Sequence, residues 1–512
     1  MADLYPPYPP PLSPEEESYL LSNLKDWSIA HGLAVRPPPS YVPEAQNPGN
    51  ALAANAPVTL FPSLFPRTCF EQASDVAQAY NVLYSAIACD EAWLGAVVEE
   101  LIEIDDFMAG LWKVHLKVKG EGYAQPLSLG LFRSDYMVHV DPEQPLKPTV
   151  KQVEFNTIAA SFGGLSINVA GLHKYLQLIG AYPPSMSSLF SSGKIPEGQS
   201  VPGLALGMAK AHEAYGPSSL GRQTCILFLV QDTERNVFDQ RHLEYEIIEK
   251  HNITTFRIPW TKVLQQTKLD DQRRLLYLPP QRPDQEYEVS VVYFRAGYAP
   301  SEYNGQADWD ARLHIERSAA IKCPNILTHL AGTKKVQQVL ATPHSPHLSR
   351  FLKDSAEADA VLKTFAPIYP MDKSEAGLQA RRLASDPESA SRYVLKPQRE
   401  GGGNNIYRKD IPDFLKSLPE QQWPAYILME MIEPPAQNNV VLRNGELQDG
   451  GVICELGVYG ACLWRQGEGD GKGEVLYNGH APYLLRTKGS GVSEGGVATG
   501  YSALDSVLLV DK

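Results

Sequence analysis

A chain of 512 residues, 43% hydrophobic and 21% charged, has a globular composition and is too long for one ordinary core, so about three domains or one elaborated enzyme fold are expected. Its formal net charge of −13 argues against general binding to nucleic acid or anionic membranes, which needs a basic excess, and no apolar run reaches the ~18 residues that would span a bilayer. Any anionic ligand must be met by locally gathered Lys and Arg.

The opening "MADLYPPYPPPLSPEEESYL" has neither the basic nor the apolar segment of a secretory leader, so a cytoplasmic location is expected. The first fifty or so residues are proline-rich and predict a short helix, Pro14 to His31, followed by an extended arm. From about Ser74 to Lys119 the apolar residues Val76, Ala79, Tyr80 and Leu83, then Leu94, Val97, Val98 and Leu101, recur at helical spacing. "PLSLGLFRSDYMVHV" and "TVKQVEFNTIAASFGG" predict strands that end in polar residues or glycines. Between about Leu220 and Gly332, the strand "TCILFLVQ", a helix through Gln240 to Lys250, and the strands "ITTFRI" and "EVSVVYFRAGY" predict a separate small α/β unit with a parallel sheet. Helices return from about Lys334, and the last third is strand-rich, with "RQGEGDGKGE" as a solvated hairpin loop. The cysteines Cys69, Cys89, Cys225, Cys323, Cys454 and Cys462 lack CxxC or Cys/His spacing, which favours reduced packing thiols over zinc or disulfides.

The stretch with the clearest chemistry is "YVLKPQREGGGNNIYRKD". Gly401, Gly402 and Gly403 cost backbone entropy and mark backbone that must approach or move over something, although many such loops are only surface turns. A Walker A loop and the kinase HRD and DFG elements are absent. What remains is a strand that delivers Lys396 beside a loop whose N–H groups can surround phosphates, with Glu400 as an oxygen ligand. In "QVEFNT", Glu154 and Asn156 stand two apart and share a strand face; with Glu400 they make three hard oxygen donors suited to Mg²⁺. Lys334 starts a helix, and Arg486 and Lys488 in "LLRTKG" close a strand; with Lys396 they are the cations a polyphosphate requires. Glu430 and Glu455 interrupt strong strands, where a carboxylate either lies on the outward face or needs a partner or a ligand. At strand ends in the small unit, Glu234, Arg235, Asn236, Gln240, Arg295 and Tyr298 suit a zwitterionic ligand or form a salt-bridge cluster.

The segments "FRSDYM", "VEFNTIAASFGGL", "ERNVFDQR", "VVYFRAGY", "KCPNILTHLAGTKKVQQ", "LKPQREGGGNNIY", "YILMEMIEP", "ELGVYG", "LLRTK" and "EGGVATG" follow one another in an order that resembles the eukaryotic glutathione synthetases over nearly the whole chain after the proline-rich arm. The resemblance implies a mixed α/β (α+β) protein: an ATP-grasp fold with an inserted small parallel-sheet α/β substrate domain and a glycine-rich lid. It implies an arm over 1–50, core over 51–219, the inserted domain over 220–332, and core with lid over 333–512. The activity implied is ATP-dependent ligation of γ-glutamylcysteine to glycine with Mg²⁺, by a homodimer. By the same resemblance Glu154, Asn156 and Glu400 hold the metal. ATP is contacted by Glu154, Lys334, Lys396, Pro397, Gln398, Arg399, Glu400, the three glycines, Asn404, Asn405 and Tyr407. Further ATP contacts are Met429, Glu430, Met431, Ile432, Glu455, Lys488 and Glu494. The substrates are contacted by Arg133, Ile158, Ala159, Ala160, Ser161, Glu234, Arg235, Asn236 and Gln240, and by Arg295, Ala296, Gly297, Tyr298, Arg486, Val497 and Ala498. Arg486, Lys396 and Lys334 are the implied catalytic cations. Ala296, Ala159 and Met431 depart from the residues frequent in the family. Two rivals stand beside this reading: a ligase using β-alanine or serine, and a catalytically silent glutathione or nucleotide sensor, whose usual mark is a lost metal ligand.

Overall fold

The computed structural model describes residues 5–141, 143–398, 405–467, 473–491 and 502–511. Its centre is the antiparallel pair Glu446–Arg465 and Glu474–Gly489, with Leu127–His139 antiparallel on the other edge of the first. The strand "GVICELGVYGACLW" is covered on both faces, which is why it reads as nearly continuous apolar sequence. Leu456, Val458, Cys462 and Trp464 enter one core, while Tyr459, Ala461 and Leu463 enter the other. The first core holds the helices Arg67–Asp75, Ala77–Cys89, Glu91–Ile102 and Asp106–Glu121. The second holds Pro14–Ala30, Gly163–Leu178 and Ser200–Tyr215.

Local chemistry sets these elements. The Pro14–Ala30 helix starts at a reciprocal Ser13–Glu16 capping box with proline in its first turn, and Leu20 and Leu24 on it are fully buried. The Ser200–Tyr215 helix lies close on the sheet because a Cβ at Gly203 or Gly207 would come within 2.6 Å of Ala481 or Ala461.

The Leu127–His139 strand changes partner along its length. Arg133 to His139 pair antiparallel with Thr149–Asn156, whereas Ser128 pairs with Lys322 of the parallel strand Ile321–Cys323. From there Tyr287–Phe294, Thr224–Val230 and Thr255–Pro259 continue in parallel, and the Val237–His251 helix connects the last two. The β-α-β arrangement matches the sequence reading, but its strands join the central sheet instead of forming a separate one. The joining strand, Ile321–Cys323, is three residues long and too short to show a period.

A second sheet, all antiparallel, orders Ile368–Pro370, Tyr426–Glu430, Tyr393–Pro397 and Ile406–Tyr407. Leu395 and Leu428 face its own core, while Val394, Ile427 and Met429 face the main one. The sheet is thereby held over the large sheet. All six cysteines are free and buried. Among the described residues, no helix is long and apolar enough to cross a membrane.

Candidate active site

Four adjacent strands of the large sheet bring polar side chains onto one face. In order they carry Arg486 and Lys488, then Glu455 and Gly457, then Arg133 and Asp135, then Glu154 and Asn156. Residues two apart share a face, so the spacing inside each strand builds the stripe. At its hub is Asp135, fully buried. Its Oδ1 accepts from Arg133 Nε at 2.6 Å; its Oδ2 accepts from Arg133 Nη2, Asn156 Nδ2 and Arg486 Nη2, each at 2.9 Å. Arg486 Nη2 also donates to Glu455 Oε1 across the strand pair. A Cβ at Gly457 would lie 2.7 Å from Arg133 Cδ and 2.9 Å from Asp135 Oδ1, so a glycine is what leaves room for this ion pair.

The second sheet and a helix N-terminus supply the cations above the stripe. Lys334 opens the helix Lys334–Ala341, and its Nζ lies 2.6 Å from Glu154 Oε2. Lys396 Nζ donates to Val153 O at 3.1 Å. Burial would raise the Glu154 carboxyl, but Lys334, Lys396 and Arg486 outweigh it and hold it well below the usual carboxylate range. Lys396 moves oppositely: burial and then Lys334 depress its ammonium to about 8 despite the opposing Glu154 and Glu455. This is a site short of negative charge, and a polyphosphate would supply it.

Of the residues expected to hold Mg²⁺, Asn156 has its amide oriented by two bonds. Both acceptors at its Nδ2, Asp135 Oδ2 and Arg133 O, require the amino group on that side. Its oxygen is therefore directed away from the Asp135 ion pair and is available as a hard ligand on the strand face shared with Glu154. The Asn156 oxygen and the Glu154 carboxylate suit a hard cation such as magnesium; Glu400, the third expected donor, lies outside the described residues.

Beside this cluster, the turn after the Thr149–Asn156 strand carries Ile158 to Ser161. Ala159 adopts φ 53° and Phe162 φ 72°, so the chain bends tightly into the helix Gly163–Leu178. Ser161 links two regions: its carbonyl accepts from Arg133 Nη1 at 3.2 Å and Tyr459 OH at 2.5 Å, and its Oγ accepts from Arg295 Nη2 at 2.7 Å. Arg295 is 5% exposed, and its Nε and Nη1 have no protein acceptor. Burial opposes its charge, but Tyr293, Asp239 and Glu234 together hold the guanidinium protonated more firmly than usual. Unmatched buried donors of this kind are costly unless a ligand meets them. Glu234 accepts from the Asn236 backbone N at 2.9 Å and Gln240 Nε2 at 2.6 Å, and Gln231 Nε2 donates to Tyr298 OH at 3.1 Å. Arg235 Nε donates to Arg36 O at 3.3 Å, and the Arg36 backbone N returns a bond to Arg235 O. The N-terminal arm thus braces the Glu234–Asn236 loop. Ile158 and Ala296 are buried in the core of the small unit, as Ala160 is in the core beneath the Gly163–Leu178 and Ser200–Tyr215 helices.

On the nucleotide side, Gln398 Oε1 accepts from the Lys335 backbone N at 2.8 Å while its Nε2 lacks a partner among the described residues. Asn405 Nδ2 donates to Tyr407 OH at 3.2 Å. Met429 and Ile432 are buried, Glu430 accepts from Tyr369 OH at 3.2 Å, and the Met431 N–H donates to Arg392 O at 2.8 Å. Pro397 ends its strand opposite Tyr426. Arg399, Glu400, Gly401, Gly402, Gly403, Asn404, Glu494, Val497 and Ala498 lie outside the described residues, as does the hairpin tip 468–472.

Three buried residues were missed from the sequence. Asp135 is the hub already described. Asp239 accepts from the backbone N of Phe162 and of Gly164, each at 2.7 Å, and from Asn236 Nδ2 at 3.0 Å, fixing the Ile158–Ser161 turn and Asn236 together. Arg312, fully buried over Phe294, donates to Gly297 O at 3.4 Å and shapes the Arg295–Tyr298 turn. Asp135 stands two residues from Arg133, the same spacing as Glu154 and Asn156, and that spacing was the available signal.

Comparison with known proteins gives this geometry its context. The model of the eukaryotic glutathione synthase ATP-binding domain matches residues 14–509. The large chain of glutathione synthetase from Schizosaccharomyces pombe is 39% identical over 97% of this chain and 98% of its own. The glutathione synthetase of Homo sapiens is 40% identical over 94% of both. Among solved structures, a glutathione synthetase-like effector of Globodera pallida superimposes with a TM-score of 0.72 over 98% of both chains at 22% identity, a likeness of fold. The chain belongs to the eukaryotic glutathione synthetase family of ATP-dependent ligases.

Proposed function

We propose that the chain makes glutathione: the cysteinyl carboxylate of γ-glutamylcysteine attacks the γ-phosphorus of ATP, ADP leaves, and an acyl phosphate forms. Glycine's amine then attacks that carbonyl, phosphate leaves with the C–O bond electrons, and the amine's extra proton is lost to solvent. The observation that carries the reading is the junction at Ser161, which takes Arg133 of the charged strand face on its carbonyl and the buried Arg295 on its hydroxyl, so that the lysine-lined cluster and the Arg295 pocket adjoin through one residue.

In this assignment Lys334, Lys396 and Lys488 hold the phosphates, Arg486 stabilises charge developing on the reacting carboxylate and phosphoryl group, and Arg295 takes a substrate carboxylate. Arg133 is bound to Asp135 on two sides, so it acts mainly by fixing Ser161 and the carboxylate stripe. Glu154, Asn156 and Glu400 would hold Mg²⁺, which when bound supplies positive charge to the triphosphate. No side chain is a nucleophile; catalysis is positioning, charge stabilisation and exclusion of water beneath a glycine-rich lid. We assign the arm, the two core parts and the inserted unit to 1–50, 51–219, 333–512 and 220–332, and the working form to a cytoplasmic homodimer.

The test follows ADP release from the purified protein given ATP, Mg²⁺ and γ-glutamylcysteine with glycine, β-alanine, serine or no amine. Fast release with glycine and slow release with the others is expected. A preference for another amine, or no release with any, would replace the reading with one of its two rivals.

A further inference from the structure

Away from the candidate active site, a cavity of about 190 Å³ opens at the other end of the Leu127–His139 strand. Ser128, which lines it, stands five residues before Arg133, about 17 Å away by the rise of an extended chain. Lys322 lines it too, and the two residues are direct partners in the parallel strand pair, so their side chains rise from the same face.

Two donors here, Lys322 and Ser128, have protons to spare. Lys322 is 5% exposed, and its Nζ donates to Ser318 O at 3.0 Å, while an ammonium has three protons to give. Ser128 Oγ accepts from Asn325 Nδ2 at 2.7 Å, which leaves its own proton uncommitted. The one acid lining the cavity, Glu316, is matched by the buried Arg312 through Nε at 3.1 Å and Nη2 at 3.0 Å, and by the Ile326 N–H at 3.3 Å. Asn325 Oδ1 is taken by Thr328, and Gln125 Oε1 by the Leu127 N–H. Pro126, Ile326 and Leu327 supply apolar wall. A buried cation with one matched proton, beside a hydroxyl and an apolar wall, calls for an anionic acceptor with an apolar body. The volume exceeds the roughly 150 Å³ that holds a benzene ring, so one ring or a short chain fits.

We propose that this cavity binds a small organic monocarboxylate, whose oxygens accept from Lys322 Nζ and Ser128 Oγ while its apolar part lies against Pro126, Ile326 and Leu327. Burial lowers the Lys322 ammonium to about 8, with Glu316 opposing and Arg273 adding to the fall, so it still carries its charge at neutral pH.

The experiment titrates para-fluorobenzoate into the full-length protein by fluorine NMR, with excess ADP, Mg²⁺ and glutathione present to fill the carboxylate sites of the active centre. One saturable site with Kd on the order of 1 mM is expected, weakened about tenfold by Lys322→Met and absent for para-fluorobenzyl alcohol. Unchanged affinity in Lys322→Met, or no saturation in the wild type, overturns the proposal. In the wild type, limiting acetic anhydride followed by peptide mass measurement must show benzoate protecting Lys322 while the exposed Lys117 labels as before. Absence of that protection overturns the proposal even if the variant fails to fold.

Discussion

Replacing Asp135 by Asn tests whether the buried carboxylate positions the reacting cation. Asp135 is fully buried, so it reaches a substrate only through the groups it holds. An asparagine can put its one oxygen where three donors converge, at the position of Oδ2, but its amino group then faces Arg133 Nε, donor against donor. Breaking a buried ion pair from one side costs about 3–5 kcal/mol, and relief comes most directly from Arg486 or Arg133 moving out. If Arg486 moves, the loss of a preorganised donor is worth about 2.7–4 kcal/mol, or roughly a hundred- to thousandfold in turnover. Lys334 and Lys396 have their bonds to Glu154 and Val153 instead. The expected outcome is therefore kcat lower by about a hundredfold or more, with ATP affinity by equilibrium binding within about threefold of the wild type. Steady-state kinetics with each substrate varied, on protein whose near-ultraviolet circular dichroism is unchanged, is the assay. A kcat close to the wild-type value would show that Asp135 is a packing residue.

Arg486→Ala should lower kcat strongly with little change in ATP affinity, and Arg486→Lys should recover only part, since the guanidinium meets both Asp135 and Glu455 through Nη2 and keeps its other nitrogens for a second, planar contact that an ammonium cannot reproduce; equal kcat for the Lys variant and the wild type would remove that geometric argument. Because the Lys396 ammonium sits at about 8 in the free protein, it is charged below that pH and neutral above it, and phosphate binding favours the charged form. ATP affinity measured by calorimetry should thus fall as pH rises through about 8, a dependence that Lys396→Met abolishes; a flat profile in the wild type contradicts it. Burial pushes the thiols of Cys69, Cys454 and Cys462 up to about 12 and that of Cys89 to about 11, and Cys225 and Cys323 are also raised by burial. A disulfide reagent at mild alkaline pH should leave the folded protein unlabelled and react fully after denaturation; rapid labelling of the native protein would show that these thiols are not packed as described.

The order of elements was largely legible in the sequence because the periods are strong: helical spacing from Val76 to Leu101, and strands at "RYVLKP" and "AYILMEMI". The joining of the small unit to the central sheet was not, since the contact is made by the short strand around Lys322. That Glu154, Lys334 and Arg486 gather in one cluster could be read from spacing and resemblance. Asp239 and Arg312 could not be separated from ordinary polar positions, and for Asp135 the spacing from Arg133 was the one local signal, because what marks all three is burial among partners distant in sequence. Asp135 is bound to Arg486, 351 residues away, and no local pattern carries that pairing. Arg235 is the converse case, chosen from the sequence as a ligand contact but also held by the N-terminal arm.

The central claim, that the ligation runs through an acyl phosphate of γ-glutamylcysteine, is tested most directly by oxygen-18. The substrate is labelled in its cysteinyl carboxylate, turned over with ATP, Mg²⁺ and glycine, and the inorganic phosphate is examined by mass spectrometry. One labelled oxygen transferred to phosphate for each glutathione formed is the predicted result, because the C–O bond broken by glycine is the one made to phosphorus. Glutathione accumulating with unlabelled phosphate would contradict the account.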